Sequence, residues 1–135
     1  MTIQFSTALR NARADAIETT IGASPTLEWR SGAPPANCAA SDTGTLLAVA
    51  TLPSDWLGAA SGGVKSLAGT WEDPAADAAG TVGHFRIKAS GGVCHLQGTV
   101  TSTLVGTGDM LMDNPVLAIG QLVTNVTFQT TEGNA

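Results

Sequence analysis

Charge is scarce in this sequence: Asp, Glu, Lys and Arg make up 13% of 135 residues, against about 25% in an average soluble domain. Basic residues are the rarest, six against eleven acids, for a net charge of −5. Binding nucleic acid through counterion release takes several clustered cations. Arg10, Arg13, Arg30, Lys65, Arg86 and Lys88 are scattered, so nucleic acid is not an expected partner. Long apolar runs are missing as well. No stretch approaches the roughly 18 residues of a membrane-spanning helix, so no membrane association is expected. The opening, MTIQFSTALRNARADAIE, carries charges where a secretory signal has its apolar region. The expectation is a chain made, and at first kept, in the cytoplasm. Aromatic residues are 4% of the chain although hydrophobic residues are 43%, so a core of Val, Leu, Ile and Ala is expected. Cysteine occurs twice, at Cys38 and Cys94, and neither has a second cysteine nearby, which leaves a zinc site without support.

What is present is a weakly charged chain rich in Thr, Ser, Gly and Ala. Such a surface suits a protein that packs against neighbours; a compositional bias of the host would give the same picture. At this length one domain is expected, able to bury about two-thirds of the unfolded chain's surface without metal or disulfide.

The clearest local signal is TVGHFRIKASGGVCHLQGTV, from Thr81 to Val100. Apolar and polar residues alternate up to Ser90-Gly91-Gly92 and then alternate again, as in a β-hairpin with one buried face. A Ser90-Gly91 loop sets Phe85 opposite Leu96 and Ile87 opposite Cys94, with His84 facing Gln97 and Arg86 facing His95 outside. A Gly91-Gly92 loop shifts the pairing by two and keeps the same residues inside. A one-residue slip would expose Phe85, Ile87 and Leu96 at roughly 1.5–3 kcal/mol each.

Before the hairpin, Ser6 or Thr7 can cap a helix that runs to about Ile21 and stops at Gly22. Phe5, Leu9, Ala12, Ala16, Ile17, Thr20 and Ile21 form its apolar stripe. It docks on this domain's sheet or on another subunit. Pro25 opens an extended stretch with Leu27 and Trp29 on one face and Glu28 and Arg30 on the other. Ser31 to Gly44 reads as a long surface loop without structure of its own. Thr45–Leu52 reads as a strand covered on both faces, ended by Pro53. Ser54 could cap a short helical turn carrying Trp56 and Leu57. Val64–Trp71 reads as a strand and Glu72–Gly80 as a flexible loop. Past the hairpin, Thr101–Thr107 is turn-like, and Met110 and Met112 share a face opposite Leu111. In the last strand Leu122, Thr124, Val126 and Phe128 alternate with Val123, Asn125, Thr127 and Gln129.

One helix followed by seven or eight short strands with Gly-rich turns predicts a mainly β protein. The expected fold is a β-sandwich or jelly-roll-like barrel with an N-terminal amphipathic helix. Residues 1–22 form that helix and residues 23–135 a single β-rich domain.

Reaction chemistry is not written in the chain. His84 and His95 do not face each other in either register and lack a third ligand. There is no Gly-x-Ser-x-Gly elbow, and Asp55, Glu72, Asp73 and Asp77 fall in loops, where acids are usually solvated. No enzyme activity, metal or cofactor is expected. Cys94 reads as a small buried hydrophobe, with a Cys38–Cys94 disulfide as the alternative outside a cell. Asn125-Val126-Thr127 matches a glycosylation sequon by chance. Trp29, Trp56 and Trp71 read as core residues or as interface anchors; Trp71, next to an acidic loop, is expected to be partly exposed.

TALRNARADAIETTIG, PPANCAASDTGTLLA and LPSDWLGAASGGVKSLAGTW, then GTVGHFRI, CHLQGTV and GDMLMDN…GQLVTNVTF…EGNA, cover nearly the whole chain. In this layout the sequence resembles small structural proteins of tailed bacteriophages and prophages. The resemblance implies a non-enzymatic virion component present in many copies and assembled in the bacterial host cytoplasm. It suggests first a capsid decoration (cement) protein whose partners are the major capsid protein and copies of itself. Leu9, Arg13 and Ile17 of the helix, Pro34 and Pro35 of the long loop, and Trp29, Trp56 and Trp71 are then the candidate interface residues. The alternatives are a head- or tail-fibre module that binds host glycan around Trp71, and a tail-tube or connector subunit.

Overall fold

A computed structural model describes residues 3–125 and 127–133. Its elements are α1 (Thr7–Ile21), β1 (Thr26–Ser31), β2 (Leu46–Thr51), β3 (Val64–Ser66), β4 (Trp71–Asp73) and β5 (Gly80–Lys88), then β6 (Cys94–Ser102), β7 (Met110–Met112), β8 (Val116–Leu117), β9 (Val123–Asn125) and β10 (Gln129–Thr131). The main sheet runs β2-β1-β5-β6-β7, with β8 pairing the start of β5, and two small sheets join β10 to β3 and β4 to β9. The fold is mainly β and sandwich-like.

The middle of the sheet follows from alternation. Leu27 and Trp29 of β1 stand opposite Ile87 and Phe85 of β5, and all four are buried. This apolar face packs on the small sheets through a chain of rings. Phe85 meets Phe128 edge-on at 5.6 Å, Phe128 meets Trp71 at 5.4 Å, and Trp71 meets Trp56 at 5.9 Å. Few aromatic residues are present, yet they are the centre of the core. Fully burying each contributes upwards of about 2 kcal/mol.

The hairpin takes the second of the two allowed registers, with Phe85 opposite Gly98, Arg86 opposite Gln97 and Ile87 opposite Leu96. A bulge then sets Lys88 opposite Cys94. His95 is the extra residue and is exposed. The turn needs a left-handed residue at its end, supplied by Gly92 at φ 97°. Because of the bulge, Cys94 leaves the Ile87 side and shares the face of Lys88, so the inward position expected for it is corrected. His84 is corrected in exposure: it lies on the face opposite the core, as expected, but is completely buried there.

Helix α1 starts where expected, with the Ser6 hydroxyl accepting from the Leu9 amide at 3.2 Å. Its docking face differs from the apolar stripe. Ala14 and Ile21 are buried, whereas Leu9, Ala12, Ala16 and Thr20 are exposed. Polar anchors decide the orientation. Lys65 of β3, itself buried, pairs with Asp15 at 2.8 Å and Glu18 at 2.9 Å, and Asn11 Oδ1 accepts from the Gly63 amide at 2.7 Å.

Other expectations change in detail. Trp56 and Leu57 lie in an irregular segment bridged to Leu67, not in a helical turn. Val64–Trp71 is interrupted, so that β3 and β4 join different sheets. Glu72–Gly80 is tied down: Asp73 Oδ2 accepts from the Val49 amide at 2.9 Å and Oδ1 from the Ala75 amide at 3.0 Å. The last strand is split into β9 and β10. Val123 and Asn125 are buried there while Leu122 and Thr124 are exposed; Val126 lies outside the described residues.

Candidate functional site

Strands β1 and β2 are antiparallel neighbours that a short turn could join. Instead, residues 32–44 fold back as a strap across the face of the main sheet opposite the core. Ordering each strap residue costs about 1–2 kcal/mol in backbone entropy, so the strap needs specific anchors. The sheet supplies them from one face. Glu28 and Arg30 of β1 stand opposite Arg86 and His84 of β5, with Lys88 and Gln97 in the same plane of side chains.

Arg86 is the centre. It is 2% exposed, it bonds the Asp42 carboxylate through Nη1, and its Nη2 donates to the carbonyls of Cys38 at 2.8 Å and Ala40 at 3.2 Å. A planar guanidinium can reach three acceptors at fixed angles, which an ammonium cannot match. Asp42 also takes Lys88 Nζ at 2.8 Å and Arg30 Nη2 at 3.2 Å, while Glu28 takes Arg30 Nε at 2.8 Å and Lys88 Nζ at 3.1 Å. Three cations and two carboxylates thus close on one another. Gln97 Nε2 donates to the Pro35 carbonyl at 2.7 Å, and His84 Nδ1 lies 2.9 Å from the Gly32 carbonyl. Within the strap, Asn37 Oδ1 accepts from the amides of Ala39 and Ala40 at 2.9 and 3.0 Å. The strap runs so close to β5 that a Cβ at Gly83 would overlap the Gly32 backbone.

These contacts set the proton equilibria. The hydrogen bond from Lys88 holds the Asp42 carboxyl below its usual range, aided by Arg86 and Arg30 and opposed by burial. Burial alone would lower Lys88, but its bonds to Asp42 and Glu28 outweigh that and raise it. Arg86 is likewise raised, burial being overcome by Asp42. Beside this network lies a pocket of about 320 Å³ lined by Cys38, Asp42, Arg86, Lys88 and Cys94. Burial, and then the adjacent Cys94 thiol, push the Cys38 thiol up to about 11. A catalytic cysteine needs the opposite shift, toward the thiolate.

The residues singled out from sequence are not brought together. Trp29, Trp56 and Trp71 all lie in the chain's own core with no exposed surface, which corrects the reading of them as interface anchors and the partial exposure expected for Trp71. Apolar burial outweighed the loop position that suggested otherwise. Within the strap, Pro35 is buried and Pro34 half-buried. Arg13 pairs with Glu132 at 2.8 Å and stacks over the Phe5 ring at 5.0 Å. Arg13 and Ile17 line a groove with His95 and Leu96 between α1 and the β6 bulge, and Leu9 stays exposed. Among the described residues no cluster of His, Cys, Asp and Glu could hold a metal ion. Sequence reasoning missed the Arg86–Asp42 anchor. Its one signal was an arginine within a strand that alternates around Phe85 and Ile87.

The large apolar side chains that do face solvent include Leu104, 97% exposed, and Ile119, 73% exposed, with Val105, Val116 and Leu122 also exposed. The topology gathers these loops at one end of the main sheet. The Thr103 amide bonds the Met112 carbonyl at 3.0 Å, and Val82 at the start of β5 bonds the Pro115 carbonyl at 2.8 Å.

Comparison with known proteins finds no matching family model, no matching curated protein and no matching solved structure.

Proposed function

We propose that this chain is a virion structural protein, a capsid decoration (cement) subunit that binds the outside of a bacteriophage shell and stabilises it. One observation carries the reading: exposed apolar side chains sit on loops at one end of the sheet, while each cation is engaged by a partner within the chain. Arg30, Arg86 and Lys88 are held by Asp42 and Glu28, Lys65 by Asp15 and Glu18, and Arg13 by Glu132. Arg10 donates to the Gly62 carbonyl at 3.0 Å. What is left outside is an acidic, weakly charged surface with Leu104, Val105, Val116, Ile119 and Leu122 grouped on adjoining loops. Apolar side chains grouped in this way mark protein–protein contact.

In this reading the shell contact is made by residues 103–105 and 116–122. The partners are the major capsid protein and neighbouring copies of the chain, and the rigid sheet presents both loops at a fixed spacing. The glycan-binding alternative loses its groove, because Trp71 lies in the core.

Imaging particles made with and without the gene tests the proposal. Density lost from the outside of the shell, with weaker resistance to heat or low salt, is the expected result. An intact shell with a missing fibre or shortened tail overturns it. The doubly substituted Leu104→Asp, Ile119→Asp chain should keep its own stability to within about 0.5 kcal/mol, as surface changes usually do. It should also fail to bind undecorated shells in a sedimentation assay.

A further inference from the structure

We propose that Cys38 and Cys94 form a crosslinking site, at which an intrachain disulfide locks the strap onto the β5–β6 hairpin. Each cysteine is positioned by an element that the other does not control. Cys38 sits in the strap with its carbonyl held by Arg86 Nη2 at 2.8 Å. Cys94 opens β6, and the bulge after Ile87 turns it onto the face of Lys88. The result is two unlinked, half-buried cysteines that line one pocket of about 320 Å³. The two cysteines, far apart in sequence, thus share one pocket between anchored walls, and a disulfide there needs their Cα atoms within about 7 Å.

The oxidant is a low-molecular-weight disulfide such as oxidised glutathione. A thiolate of one cysteine attacks it, forming a mixed disulfide and releasing one glutathione thiolate. The second cysteine, after losing its proton to solvent, attacks the protein sulfur and releases the second glutathione. The two protein sulfurs are oxidised by two electrons in total, and one glutathione disulfide is reduced to two thiols. With its thiol raised to about 11, Cys38 reacts slowly near neutral pH, and closure accelerates as pH rises. The closed link encloses β2 to β5 in one covalent loop and removes the strap's freedom to lift. It gives the molecule two states, a thiol form held by ion pairs and a disulfide form held covalently. This inference does not depend on the virion reading.

The test uses the full chain, reduced, then incubated with oxidised glutathione at pH 8 without denaturant. Remaining thiols are trapped, and the products are read by intact mass and peptide mapping. The expected product is a monomer lighter by two hydrogens, with Cys38 and Cys94 in one linked peptide pair. Its Tm should rise by about 10 °C, and cleavage within the strap should slow at least tenfold. Cys38→Ser and Cys94→Ser should each take up one glutathione with no such rise. Glutathione adducts on both cysteines of the folded wild type, a link between chains, or closure only in urea would each overturn the proposal. Should either variant fail to fold, the wild-type peptide map decides alone.

Discussion

Arg86 shows what one side chain can organise when it has no water to fall back on. Its guanidinium is buried, so each acceptor it loses is a charge left unsatisfied. Removing one partner of such a buried network costs about 3 kcal/mol or more. Arg86→Met should therefore lower stability by about 3 kcal/mol in urea unfolding. Arg86→Lys should recover less than half of that, because an ammonium cannot reach Asp42 and the carbonyls of Cys38 and Ala40 together. Asp42 makes a pH prediction. Its folded pKa is depressed below the ordinary 3.8, so the stability it contributes is fully present above that value and is lost as pH falls through the lower, folded one. Below about pH 4, wild type should lose stability more steeply than Asp42→Asn, as read from thermal melts across pH 2–5.

At the level of elements, the strap and α1 are both held by polar anchors rather than by apolar stripes. Gly83 tests the strap, since a methyl group there meets backbone and not a yielding side chain. Gly83→Ala should raise protease cleavage within residues 32–44 several-fold while far-UV circular dichroism is kept. Lys65 tests the helix. Its pKa is raised because the bonds to Asp15 and Glu18 outweigh burial, so the attachment is complete below pH 10.5 and weakens as pH rises above it. Lys65→Met should speed hydrogen exchange in α1 more than in β5. Equal acceleration in both would mean that the helix is not a separately held element. Both attachments were hard to read in advance for the same reason. Helical periodicity ranks residues by hydropathy, and here the docking face was chosen by Asn11, Asp15 and Glu18 meeting partners about 50 residues away.

For the whole molecule, stability rests on a few rings. Trp71 touches Trp56 on one side and Phe128 on the other, and so joins the small sheets to the main one. Trp71→Ala should cost about 3–5 kcal/mol, a large share of the roughly 5–15 kcal/mol that holds a domain together. Loss of the cooperative thermal transition at 37 °C would be no surprise, whereas a shift of only a degree or two would show that the sheets are held in some other way. The same burial of the tryptophans moves the contact surface in the proposed function from the aromatic residues to the aliphatic loop ends at Leu104 and Ile119.

The sequence by itself determined the mainly β class, the start and end of the helix, the two faces of β1 and the inward set Phe85, Ile87 and Leu96. Each of these depends on neighbours within a few residues, where turn chemistry and alternation act directly. Only the tertiary structure decided that residues 32–44 form a strap and that His84 and Arg86 are buried beneath it. It also brought Cys38 and Cys94 to one pocket. An alternating strand states which residues share a face, but not whether the polar face meets water. Here a distant loop with its own carboxylate and carbonyls covers that face, and a one-residue bulge turns Cys94 toward it.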